Sequence, residues 1–271
     1  MTIRTTIIGL TGAIVISTVG IQASDYMQHG TSRFLSAIPA AEMGCPAGTV
    51  EYLIDGSRLC VDAYEASAGR ECLHREPRSA ADNTANLQVS GCKAVSESGV
   101  LPLRYTSFTH AEQYCAAAGK RLLTPHEWHV VARDIDMQVV SCITDQSAAG
   151  PALTGSADCA TRSGVHDMVG NVWEWVDAEV VNGMYQGREV PASGFVSSVD
   201  RAGVVLATTG DPDELYDSAY AWTRAEGVQG MVRGGFYGSG SDAGRYAQNL
   251  SVSLDITTPG IGFRCVADVY N

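Results

Sequence analysis

Gly164-Val165-His166-Asp167-Met168-Val169-Gly170-Asn171-Val172-Trp173-Glu174-Trp175-Val176 decides how this chain is read. Its order of small, amide, aromatic and acidic residues is hard to reach by composition alone. On the plainest reading Asn171 caps a turn while Trp173 and Trp175 pack as core.

Around this block lies a chain of 271 residues with 45% hydrophobic content, enough to bury a sizeable core. No Pro/Ser linker divides it after residue 45, so residues 45–271 read as one domain. With 18 Lys+Arg against 30 Asp+Glu the net charge is −12. Such a surface does not neutralise phosphates, which argues against nucleic acid and anionic lipid as partners.

The N-terminus carries Arg4 and then runs uncharged from Thr5 to Ser24 through an apolar stretch. Residues 1–24 therefore read as a cleavable signal peptide or, alternatively, as a membrane anchor. Residues 25–44 read as a stalk, and the domain as exported to the periplasm, cell surface or exterior. Eight cysteines follow the signal, an even number that makes four disulfides the default in an oxidising compartment. Proximity suggests Cys45–Cys60, Cys72–Cys92 and Cys142–Cys159. No cysteine shows the spacing or histidine neighbours of a zinc site.

Two helices are legible from their caps. Thr109-His110-Ala111-Glu112 reads as a capping box opening a helix that ends at Gly119. Thr124-Pro125-His126-Glu127 repeats the device for a helix from Pro125 to about Arg133. Thr49–Ile54 and Leu59–Tyr64, split by Asp55-Gly56, read as a hairpin. Met231–Gly235 and Ile261–Val266 are further strands, whereas residues 177–230 read as loops because their periodicity is poor.

The opening block resembles the signature of the formylglycine-generating enzyme or sulfatase-modifying factor family. Three more stretches resemble that family in its order: Cys60–Ser67, Tyr114–Trp128, and the closing pair Arg233-Gly234-Gly235-Phe236-Tyr237 and Gly262-Phe263-Arg264-Cys265. Together they cover residues 45–267. The resemblance implies an α+β domain, the FGE-sulfatase variant of the C-type-lectin fold. It would carry short twisted antiparallel strands, two main helices and long loops, stapled by disulfides. A Cys115–Cys265 bridge is implied as well.

The same resemblance implies a chemistry that these residues do not support. The family's oxidases hold copper between two cysteines a few residues after Arg-Gly-Gly, because soft Cu(I) takes thiolate ligands. Here those positions fall near Ser239 and Gly244, and no cysteine lies between Cys159 and Cys265. Copper is not expected. A calcium site is implied instead, through Asn171 and Glu174 with the backbone oxygens of Val169, Gly170 and Val172. Among the six histidines, His126 and His129 share a helix face but read as solvated or half-buried residues. His166 and Asp167 are adjacent and, in an extended segment, would face opposite ways. No catalytic constellation is evident.

Function is better sought in the segment between Arg233-Gly234-Gly235 and Ile261. It is rich in Tyr, Ser, Gly, Asp and Asn, the composition of a binding paratope. It also resembles the variable proteins of diversity-generating retroelements, which place mutable positions just before a C-terminal Gly-Phe-Arg. The expected contact residues are Phe236, Tyr237, Ser239, Ser241, Asp242, Arg245, Tyr246, Asn249 and Ser251. The leading reading is an exported, non-catalytic protein that binds a protein or glycan ligand at the cell exterior. Its rivals are an enzyme using non-standard residues and a structural envelope component.

Overall fold

The computed structural model describes residues 44–138, 140–145 and 150–269. The expected signal and, apart from Gly44, the expected stalk lie outside them, and so does His29. A hairpin opens the described chain: β1 (Thr49–Ile54) and β2 (Ser57–Asp62) pair antiparallel with Ile54 opposite Ser57. Asp55 and Gly56 turn it with φ of 51° and 82°, the left-handed pair that a two-residue hairpin requires. Next come β3 (Ala66–Ala68), the helix α1 (Ala80–Leu87) and β4 (Ala94–Ser96), with β4 returning to pair with β3.

Helix α1 was not expected from sequence, because it has no apolar stripe. Its buried residues are Asn83 and Asn86. The Asn83 amide donates to the carbonyls of Arg104 and Tyr105, both at 2.9 Å, and Asn86 exchanges hydrogen bonds with the His74 backbone. Amide pairing replaces apolar packing, so among the described residues a third helix joins the two that are legible from their caps.

Helix α2 (Phe108–Ala117) has its cap two residues earlier than expected. Ser107 Oγ, not Thr109, accepts the His110 amide at 3.2 Å, and the His110 ring faces the Ser107 amide in return. Its end is as read, with Gly119 at φ 70° beyond the last turn. After the short β5 (Arg121–Leu122), α3 (Pro125–Ala132) starts at the expected Thr124–Glu127 box.

After α3 the regular elements among the described residues are short strands set between long loops: β6 (Trp173–Val181), β7 (Met184–Tyr185), β8 (Arg188–Glu189), β9 (Gly194–Val199), β10 (Val205–Thr209), β11 (Tyr220–Trp222), β12 (Val228–Arg233), β13 (Gln248–Val252), β14 (Ile261–Phe263) and β15 (Cys265–Asp268), with two 3-10 turns. Residues 177–230 are thus not simply loops. Their strands are short, and the β9–β10 pairing is broken by register shifts, so no long alternation marks them.

Two principal sheets result. The larger has strand order β10-β9-β11-β13-β12-β6-β7-β8, with β14 also on β6, and the smaller runs β1-β2-β15-β5. Pairing is not wholly antiparallel, since β11 runs parallel to β13 and β14 to β6. The expected strand at 261–266 is split by Arg264. Residues before it join the larger sheet, and residues after it join the smaller one.

Bridges join Cys45 to Cys60, Cys72 to Cys92, Cys142 to Cys159 and Cys115 to Cys265. The last ties α2 to β15 across a sequence separation of 150 residues. Among the described residues no helix is long and apolar enough to cross a membrane.

Candidate functional site

The signature block builds a buried polar knot where the two sheets meet. Gly170 and Asn171 turn the chain at φ 80° and 52°. A Cβ on Gly170 would stand 2.2 Å from the Ile143 carbonyl oxygen, so a side chain there has no room. The turn delivers Glu174 to Arg264, and both side chains are 1% exposed. Arg264 Nε donates to both Glu174 oxygens at 2.8 and 2.9 Å, and Nη2 donates to Oε1 at 2.5 Å. The Arg264 guanidinium also binds the carbonyls of Asp62 and His166, and Trp128 Nε1 donates to Glu174 Oε2 at 2.7 Å.

Asn171 turns elsewhere. Its Oδ1 accepts from Ala152 N at 2.8 Å, while its Nδ2 donates to Glu65 Oε2 at 2.5 Å. Glu65 also accepts from the Val172 amide. Burial, together with repulsion from Asp167 and Glu174, pushes the Glu65 carboxyl well above the usual range. Asp167 is raised as well, by burial above all. It is not extended: with φ 59° it aims Oδ2 at the Gly155 amide, and His166 stacks on Tyr64.

The fit to the implied metals can be tested on these contacts. Both oxygens of Glu174 already accept strong donors, and the Asn171 oxygen is held by Ala152. The two side chains therefore do not converge on a shared calcium position. Among the described residues no group of three or more His, Cys, Asp or Glu is placed to hold a metal ion. Copper fits no better at the equivalent positions. Ser239 Oγ accepts the Phe236 amide, Gly244 packs near Asp217, and every cysteine is in a disulfide.

Nearby, Arg233 is fully buried over the Trp128 ring at 4.8 Å, and burial brings its pKa down to about 10. His129, expected to be half-buried at most, is 4% exposed, and burial, then Arg233, lowers its pKa to about 3. His126 is half-buried beside Asp55.

Residues after Gly235 form two adjoining cavities above β12 and β13. The first, of about 400 Å³, is lined by Phe236, Tyr237, Asn249 and Ser251 together with Trp173, Ile256, Thr258 and Pro259 among others. The second, of about 270 Å³, is lined by Trp173, Trp222, Phe236, Gly238, Ser239, Asp242 and Asn249. Trp173, Phe236 and Asn249 are common to both. Strand register explains the grouping: on β13 Asn249 lies beside Trp222 of β11 and Val232 of β12. Residues 248–252 alternate buried and half-buried, which turns Asn249 and Ser251 outward.

Six of the nine expected contact residues thus line these cavities. Ser241 is exposed and lines neither. Arg245 is bound to Asp217 and borders a separate cavity, while the Tyr246 ring packs against Tyr216 and His129. Trp222 was missed because nothing local marks it. Trp173, read as core, is 8% exposed and serves as cavity wall; Trp175 is 1% exposed and is core.

Fold and site together define a disulfide-stapled α+β domain of the C-type-lectin kind, with a groove beside its last strands. The chain belongs to the family described as sulfatase-modifying factor enzyme 1-like domain, which matches residues 52–269. Comparison with curated proteins yields no match. Among solved structures, the Major Tropism Determinant P3c variant is similar at 20% identity and TM-score 0.44 over 82% of this chain. The chain spans about half of that protein, 53% of its length. PvdO from Pseudomonas aeruginosa shows 16% identity and TM-score 0.45, covering 83% of this chain and 90% of its own. Treponema denticola variable protein 1 shows 12% identity and TM-score 0.44, covering 83% and 93%.

Proposed function

We propose that this chain is an exported, non-catalytic binding or display domain that takes a ligand of the cell exterior in the groove over β12 and β13. One observation carries the reading. Where the family's oxidases carry their thiolates, this chain has Ser239 and Gly244, within a segment that forms two confluent cavities walled by Trp173, Phe236 and Asn249. The first cavity, of about 400 Å³ and mostly apolar with a few polar groups, has the usual form of a ligand site, and the second adds a smaller, more polar annex. Four disulfides suit export, because such bonds persist in oxidising compartments.

The test is selection against the exported protein with a glycan array and a displayed random-peptide library. A ligand of the groove loses about tenfold or more in affinity with Phe236→Ala or Asn249→Ala. Ligands indifferent to both substitutions, or no ligand at all, would refute the reading. Diversification of the segment is a narrower proposal, tested in the genome. It requires a near-repeat of the DNA for residues 233–265 that differs at adenines and lies beside a reverse transcriptase. Calcium also remains a proposal, resting on the backbone oxygens of Val169, Gly170 and Val172. A melting temperature unmoved by chelator would remove it.

A further inference from the structure

We propose that the ligand of the groove is a neutral, hydroxyl-rich saccharide, an inference that rests on the binding reading above. Charge narrows the choice first. No Lys, Arg or His lines either cavity, and Asp242 is the one carboxylate among their lining residues. A phosphate, an acidic peptide or an acidic sugar would lose its hydration there without gaining a counter-charge.

The aromatic walls narrow it further. Trp173 and Trp222 stand perpendicular with centroids 5.7 Å apart, and Phe236 and Tyr237 meet at 70° and 5.0 Å. A pyranose ring offers an apolar C–H face to such surfaces and a rim of hydroxyls that both donate and accept. An apolar side chain would use the rings alone.

Polar groups left unspent by the protein match that rim. Of the four tryptophans, Trp128 and Trp175 give their indole N–H to Glu174 and to the Thr106 carbonyl. Trp173 and Trp222, the two in the groove, have no hydrogen-bond acceptor among the described residues. Asn249 Oδ1 is taken by the Ser251 amide and hydroxyl, which leaves Nδ2 to donate. The Asp242 carboxylate, at the end of a 3-10 turn (Gly240–Asp242), receives no donor among the described residues. Two indoles, one amide and one carboxylate with polar capacity to spare thus belong to the residues that line the aromatic walls. An apolar side chain would leave these groups unpaired, which costs free energy when they are desolvated. Shared walls make the two cavities neighbouring subsites, suited to consecutive rings of an oligosaccharide.

The glycan array decides the point when neutral, acidic and amine-bearing glycans are printed side by side and the peptide library is run in parallel. Expected is binding to neutral glycans that falls about tenfold or more in Trp222→Ala and about tenfold in Asp242→Asn, with the melting temperature held. If Trp222→Ala does not fold, Trp222→Phe and Asp242→Asn carry the comparison. Neutral glycans bound equally by wild type and variants overturn the proposal, and so does a preference for acidic glycans. Peptides selected alone, with affinity that depends on Phe236, overturn the saccharide class and leave the groove standing. If neither library yields a ligand, the saccharide proposal and the binding reading fall together.

Discussion

Replacing Glu174 with alanine removes the carboxylate that accepts from Arg264 Nε and Nη2 and from Trp128 Nε1, in a place where the arginine is 1% exposed. The guanidinium keeps the Asp62 and His166 carbonyls but no opposite charge in hydrogen-bond contact. Breaking a buried pair from one side costs roughly 3–5 kcal/mol, against a total stability of about 5–15 kcal/mol. At about 2–4 °C per kcal/mol for a domain of this size, the midpoint falls by roughly 6–20 °C. Differential scanning calorimetry with parallel urea titration reads both quantities. Glu174→Leu combined with Arg264→Met should recover much of the loss, because the pair must be desolvated before it can stabilise anything. Recovery stays partial, since two carbonyls lose their donor. The experiment is run with and without chelator: an ion-pair role gives the same loss in both. A single-variant loss below about 1 kcal/mol, or a double variant no better than the single, refutes the argument. A loss seen only in calcium would move Glu174 to a metal.

Other expectations follow from the same contacts. Cys115→Ser with Cys265→Ser opens the longest loop, and a chain-entropy estimate puts the loss at about 4–5 kcal/mol; urea unfolding that shifts by under about 1 kcal/mol contradicts it. Burial and the neighbouring Asp167 and Glu174 raise Glu65 in the fold well above the usual carboxyl range, so the unfolded chain ionises first. Its contribution is intact below about pH 4.5 and is lost as pH rises toward its folded value. Glu65→Gln should therefore gain on wild type in melting temperature as pH rises above about 4.5, and parallel curves would show that Glu65 is ionised in the fold. Gly260→Ala would put a Cβ 2.8 Å from Phe236 Cδ2, so it should displace that ring and weaken ligand binding while near-ultraviolet circular dichroism of the core stays unchanged. Unaltered binding would take Phe236 out of the groove wall.

Local chemistry was legible in the sequence, and distant pairing was not. Asp55-Gly56 and Thr124–Glu127 dictate their turn and cap within four residues, so they read correctly. Glu174 shows nothing of Arg264, which lies 90 residues away and reaches it only because β14 lies on β6. The resemblance that implied calcium at Glu174 carried no sign that Arg264 and Trp128 hold its oxygens. Helix α1 escaped because buried Asn83 and Asn86 look polar in a one-dimensional pattern. In the groove, Phe236, Tyr237, Asn249 and Ser251 could be proposed from composition, whereas Trp222 arrives through a parallel register that no local pattern encodes. Arg245 and Tyr246 shared the same composition, yet Asp217, Tyr216 and His129 claim them.

The bridge from Cys115 to Cys265 imposes an order on how the chain matures. An oxidant that joined thiols strictly as they emerged would make Cys45–Cys60 and Cys72–Cys92 correctly, then trap Cys115 with Cys142 and leave Cys159 for Cys265. The native set instead holds Cys142 with Cys159 and keeps Cys115 waiting for a partner 150 residues later. Both sheets wait with it, since β14 completes one and β15 the other. Maturation therefore depends on protecting one thiol or on reshuffling a wrong bond. The groove over β12 and β13, whose wall includes Ile261 of β14, is complete only when that last segment is in place.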